Sequence, residues 1–274
     1  MTANDPLYQP GFEHVDTSVH ACVPIYGVYD WTDRFGFWHR KGLDRLLEQR
    51  IIKSSIAEAP DLYRRGSPMD QVHPERPPFL VVHGDKDSLA PVEEARRFQA
   101  MGLHVLLPEY RLAPEHPFPA GVDDCLAAYR WLLDRGYRER PFALAGDSAG
   151  GSLSLVTMMR ARDAMLPLPD CAVLLSPSTD LTMSAPSARY NAQLDPMFSP
   201  AAQDLLPNVY CPGQDRRNPL LSPLFGNWNG LPPLLFHAGS TEMLLDDSVR
   251  AHDRATQAGG RKSKCSWACP TSGT

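Results

Sequence analysis

The sequence predicts an α/β fold, a mostly parallel sheet with helices on both faces. Three observations predict it. From about Pro77 onward, short apolar runs alternate with helical patterns. A buried-strand pattern, Phe142 to Ala145, passes through Gly146-Asp147-Ser148-Ala149-Gly150-Gly151 into a Pro-free apolar stretch, Ser152 to Ala164. Apolar residues make up 43% of 274 residues, enough for one large core.

Taken in order, Phe79 to Val82 reads as a strand and Val92 to Met101 as a helix. His104 to Pro108 reads as the next strand and Val122 to Arg135 as the next helix. The Gly-rich turn with its strand and helix follows, then Ala172 to Leu175 as a buried strand. Asp180 to Gly230 is irregular and rich in Pro, Ser and Asn, with one short helix, Ala201 to Val209. Leu234 to His237 is a further strand and Leu245 to Gln257 a helix. No strand is read between Arg261 and Thr274, so the sheet is expected to lack its last strand. The resulting open edge is an aggregation liability that the N-terminal segment is expected to cover by pairing.

Composition narrows the function classes. Net charge is −5, which argues against nucleic acid as a partner. No apolar run reaches membrane-spanning length, and residues 1–11 lack the apolar stretch of a secretion signal, so a cytoplasmic location is expected. Six cysteines occur without a C-x-x-C pair, which favours free thiols over disulfides or a zinc site. Twenty-seven prolines, about twice the usual share, imply many loops.

The turn around Ser148 has the G-x-S-x-G spacing of a nucleophile elbow, where a sharp strand-to-helix turn lifts a serine hydroxyl above the sheet. The start of the helix then offers backbone N–H groups, that of Ala149 first, to an oxyanion. The competing reading is a Gly-rich turn whose serine caps the helix. Tyr110-Arg111-Leu112-Ala113-Pro114-Glu115-His116-Pro117-Phe118-Pro119-Ala120, Asp123-Asp124, the elbow, Asn218 to Leu224, and Leu231-Pro232-Pro233 leading to Gly239-Ser240-Thr241-Glu242 fall in this order. Together they resemble the hormone-sensitive-lipase-like branch of α/β-hydrolase esterases over about residues 97–260. The resemblance implies hydrolysis of short-chain carboxylic esters, a small-molecule ester as partner, and no metal or organic cofactor.

It also implies roles. Ser148 is the expected nucleophile and Glu242, after an apolar strand, the expected acid. Asp246 and Asp247 compete with Glu242 but suit a helix start. The family's oxyanion loop, His-Gly-Gly-Gly after an earlier strand, has its nearest match in His83-Gly84-Asp85-Lys86. There Asp85 puts negative charge where negative charge should develop. The family places its base about 30 residues past the acid, where this sequence has no histidine. His83, His116, His237 and His252 are the substitutes to consider.

Residues 77–87 align without a gap on residues 232–242, with Asp87 falling on Glu242, which makes Asp87 an alternative acid. Residues 21–30 resemble 171–180 in the same way. The first hundred residues therefore resemble the C-terminal half of another α/β-hydrolase, and a fusion near Val92 to Gln99 is expected. The expected organisation is 1–75 as that segment, 76–260 as hydrolase core with a cap-like insertion at about 180–230, and 261–274 as an aberrant tail. Codons exist for the tail whose shifted frame restores an alternating strand followed by Pro-His, so a frameshift near Gly260 is expected. The missing base and altered oxyanion loop predict impaired turnover. A catalytically dead pseudo-hydrolase or a binding module is the second reading.

Overall fold

The computed structural model describes residues 24–25, 31–32, 48, 52–67, 70, 106, 108–139, 142–195, 198, 200–259 and 264–268. Among them run β1 (Pro24–Ile25), α1 (Pro60–Gly66), α2 (Ala120–Asp134), β2 (Ala143–Asp147), α3 (Ala149–Asp163) and β3 (Cys171–Leu175). Then come α4 (Ser187–Tyr190), α5 (Pro200–Tyr210), β4 (Leu234–Gly239), α6 (Leu245–Gln257) and β5 (Lys264–Ala268). The strands form one sheet in the order β1-β2-β3-β4-β5. All pairings are parallel, with Ala145 opposite Val173 and Leu174 opposite Phe236.

The long helices follow from their apolar spacing. In α2, Val122, Cys125, Leu126, Tyr129, Leu132 and Leu133 are buried, a single stripe at helical period. In α3 every residue from Leu153 to Met159 is buried. A helix buried on every side from Leu153 to Met159 has to be enclosed, and α3 lies between the sheet and α2. The Tyr129 hydroxyl donates to the carbonyl of Pro167 at 2.7 Å, which satisfies the polar tip of a ring packed against Phe142.

Strand alternation divides the sheet's two faces. Ala172, Leu174, Leu234, Phe236 and Ala238 are buried on the face that carries the core of α3 and α6. Their alternates Leu175, Leu235 and His237 are exposed, Leu175 by 41%. Among the described residues the long helices α2, α3 and α6 belong to the first face.

Two expectations are corrected. The tail was expected to hold no strand, yet Lys264–Ala268 pairs in register with Leu235–Gly239. Its sequence alternates polar Lys264 and Ser266 with apolar Cys265 and Trp267, a period-two signal carried by only five residues. The N-terminal segment was expected to pair at that end of the sheet, but β1 pairs instead with β2 at the opposite edge, Pro24 with Ala145 and Ile25 with Gly146. β5 satisfies the main-chain groups on that side of β4, and β5 itself is the last strand of the described sheet. Residues 106 and 108 of the strand expected over His104 to Pro108 are not in a strand. The expected elements Phe79 to Val82 and Val92 to Met101 lie outside the described residues.

Candidate active site

The elbow is built by close approach of backbone to backbone. A Cβ on Gly146 would stand 2.2 Å from the carbonyl oxygen of Gly150, and one on Gly151 would stand 2.7 Å from Cβ of Pro177. Glycine at both positions lets α3 start directly over the end of β2. Ser148, between them, has φ +52° and ψ −116°. That is outside the wells open to most L-residues, so the conformation is strained. Neighbouring backbone enforces it. The Ser148 N–H donates to Leu175 O at 2.9 Å, extending the β2–β3 ladder by one bond. The Ser148 carbonyl in turn accepts N–H bonds from Gly151, at 3.1 Å, and Ser178, at 3.2 Å.

The serine side chain makes no capping hydrogen bond to α3. The capping role that competed with the nucleophile reading is therefore absent. Ala149, the first helical residue, has no preceding helical carbonyl for its N–H, so that donor stays available beside Ser148.

Ser148 and Ala149 open on a cavity of about 540 Å³. Its lining is mostly apolar: Leu153 and Val156 come from α3, Leu181 and Met183 from the loop after β3, and Leu206 and Val209 from α5. The last four fall in the irregular 180–230 stretch, which thus walls the cavity. Leu206 and Val209 also reach solvent, at 50% and 36% exposure, so the cavity opens past α5. Arg111 reaches the same cavity but is held by Asp124, through Nε at 2.9 Å and Nη2 at 2.8 Å. The Tyr-Arg-Leu-Ala-Pro motif therefore docks on α2 by a bidentate ion pair.

Glu242 lies just past the carboxyl end of β4. Its Oε1 accepts the N–H of Gly239 at 2.9 Å, and its carboxylate is also hydrogen-bonded to Ser176, at the end of β3. Burial raises its pKa above the ordinary glutamate value, against the lowering effect of those two bonds. Asp246 and Asp247 have other partners. Asp246 accepts the Ser187 N–H at 2.8 Å and the Tyr190 hydroxyl at 3.1 Å, tying α6 to α4. Asp247 accepts the N–H groups of Thr179 at 2.6 Å and Asp180 at 2.9 Å, clamping the loop after β3. That clamp had no sequence signal beyond an acidic pair at a helix start.

Of the expected site residues, the structure brings Ser148 and Ala149 to the cavity and puts Glu242 one strand beyond β3 from the elbow. His83, Gly84 and Asp87 lie outside the described residues. Among the described histidines, His116, His237 and His252, none lines the cavity. His237 is on β4, and the His252 ring packs edge-on against Phe236 in the core. Cys125, Cys171 and Cys211 are free thiols.

A parallel sheet whose strand turns through a strained serine into a buried helix, over an apolar cavity, defines the class of α/β proteins with a serine elbow. The chain belongs to the alpha/beta hydrolase fold family, whose model matches residues 82–266. A second family model, described as BD-FAE, matches residues 4–101. The chain is 39% identical over 186 residues to an acetyl-hydrolase of Streptomyces hygroscopicus, covering 66% of this chain and 62% of that one. It is 37% identical to an esterase of Acinetobacter venetianus, covering 60% of this chain and 54% of that one. Among solved structures, EstE5 soaked with ethyl alcohol matches with a TM-score of 0.62 at 41% identity, over 69% of this chain and 63% of that chain. An esterase from the bacterial hormone-sensitive lipase family matches with a TM-score of 0.59 at 39% identity, over 66% and 62%. The chain thus spans somewhat over half of the length of the curated relatives named here. Among the described residues, no helix is long and apolar enough to cross a membrane.

Proposed function

We propose that Ser148 is the nucleophile of a carboxylic ester hydrolase that works through an acyl-enzyme. The observation that carries this reading is the strained Ser148 backbone, with its hydroxyl unused for capping and facing an apolar cavity. Ser148 Oγ adds to the ester carbonyl, and the N–H of Ala149 stabilises the oxyanion. The carbonyl–alkoxide bond breaks and the alcohol leaves with the proton that Ser148 gave up; water then adds to the acyl-enzyme, a proton returns to Ser148 Oγ and the acid is released. Glu242 is the acid that would orient a base. The arginine nearest the cavity is consumed by Asp124, so the site favours uncharged esters with apolar chains.

The second reading, a binding pocket without turnover, is favoured by one observation: no described histidine lines the cavity. Hydrolysis of p-nitrophenyl butyrate by the purified chain and by Ser148→Ala separates the two. Release of p-nitrophenol that disappears in the variant supports the hydrolase. Equal background in both overturns it and leaves the pocket.

The organisation proposed with this reading is a fused chain, with its first hundred residues from one hydrolase lineage and the remainder from another. The two family models matching 4–101 and 82–266 support it. Sequencing the coding DNA tests both the join and the frame change near Gly260. A single frame whose codons cannot yield the shifted reading removes the frameshift.

A further inference from the structure

Asp247 is 2% exposed and stands in the wall of the cavity that holds Ser148. Its Oδ2 takes both backbone bonds, from Thr179 and Asp180. Its Oδ1 accepts no hydrogen bond from any described residue. The nearby cation does not serve it, because Arg250 Nη1 bonds Asp180 Oδ2 at 2.9 Å. Among the described residues Oδ1 is not one of the fully buried side-chain atoms left without a partner, so it keeps a small opening through which a donor in the cavity can reach it. In an apolar cavity, the group that can supply the donor is the ligand.

We propose that Asp247 is a specificity-determining residue whose unbonded oxygen binds a hydroxyl group on the chain of the substrate. This deepens the hydrolase reading and rests on the cavity being the substrate site. A hydroxyl suits the position in either protonation state, since it donates to a carboxylate and accepts from a carboxylic acid. A plain alkyl ester would leave the oxygen bare. A ketone oxygen could bond only the protonated form.

Burial pushes the Asp247 carboxyl up to about 7, against the two backbone bonds. The charged groups acting on it are Asp180, from the loop after β3, which raises it, and Arg250, one turn along α6, which lowers it. Asp246 turns to α4. No described histidine lines the cavity to titrate in the same range. Asp247 should therefore be mainly an acceptor at about pH 8.5 and mainly a donor at about pH 5.5.

The test is binding of octan-2-ol and octan-2-one to the full chain, by calorimetry, at both pH values. At the higher pH the alcohol should bind about tenfold tighter, the worth of one hydrogen bond. At the lower pH the two should approach parity. In Asp247→Asn the side-chain oxygen can still accept from Thr179 and Asp180, and the alcohol-to-ketone ratio should no longer change with pH. A wild-type ratio that is flat with pH, or no binding of either compound, overturns the proposal. The readout is independent of turnover. Ser148→Ala should keep the same ratio, so a dead nucleophile with a pH-dependent ratio refutes only the hydrolase reading. Ser148-dependent hydrolysis with a flat ratio refutes only this one.

Discussion

Replacing Ser148 by glycine should stabilise the chain, while replacing it by alanine should leave stability nearly unchanged. Ser148 sits at φ +52° and ψ −116°, and its hydroxyl caps nothing. Holding a non-glycine residue in such a region costs about 1–3 kcal/mol. Glycine adopts it without steric penalty but loses about 0.5–1 kcal/mol more conformational entropy on folding. The difference leaves a net gain of about 1 kcal/mol for Ser148→Gly, worth roughly 2–4 °C in melting temperature for a chain of this size. Ser148→Ala retains the Cβ and with it the strain. Urea unfolding followed by far-ultraviolet circular dichroism, run on the three proteins together, measures both differences. A glycine variant less stable than the alanine variant by about 0.5 kcal/mol or more would refute the reasoning, because that exceeds the scatter of inconsequential substitutions. The backbone at Ser148 would then be relaxed, and the main structural argument for its role would fall.

Gly146→Ala should be severely destabilising, by about 3 kcal/mol or more, because its Cβ meets backbone 2.2 Å away that cannot rotate aside. Gly136→Ala, where φ is +90° and nothing lies within 4 Å, is the control and should cost only about 1–2 kcal/mol in chemical denaturation. Glu242→Gln should gain melting temperature relative to wild type as pH rises. A carboxyl whose folded pKa is raised contributes stability that is present below the unfolded value of 4.5 and is lost as pH climbs through the folded value. Asp247→Asn should do the same over a wider window, from the ordinary 3.8 to about 7, and a wild-type melting profile that rises across that window relative to the variant would contradict the sign.

Much of this architecture was legible in the sequence because the relevant signals are local and periodic. The helix expected over Leu245 to Gln257 has those limits, and the expected strand Ala172 to Leu175 gains only Cys171. The helix after the elbow starts earlier than expected, at Ala149 rather than Ser152. Gly150 and Gly151 look like loop by propensity, yet both are helical and buried, and a Cβ on Gly151 would stand 2.7 Å from Pro177. The strand Lys264–Ala268 escaped because its stability comes from the neighbouring strand rather than from its own apolar content. At the candidate site, what the sequence made legible is position: Ser148 and Ala149 at the turn from β2 into α3, and Glu242 just past β4. The Asp247 clamp was not legible, because its partners, Thr179 and Asp180, lie 68 and 67 residues away and are main-chain groups that any sequence would supply.

β1 meets β2 at Pro24 and Ile25, and a parallel ladder is a match of main-chain pitch. Main chain carries no memory of the gene that encoded it. The described register joins a strand within the 4–101 match to one within the 82–266 match through main-chain pairing at Pro24 and Ile25. Recombination inside a parallel sheet asks less of its two parents than recombination through a helical core, where each buried side chain must find a new fit.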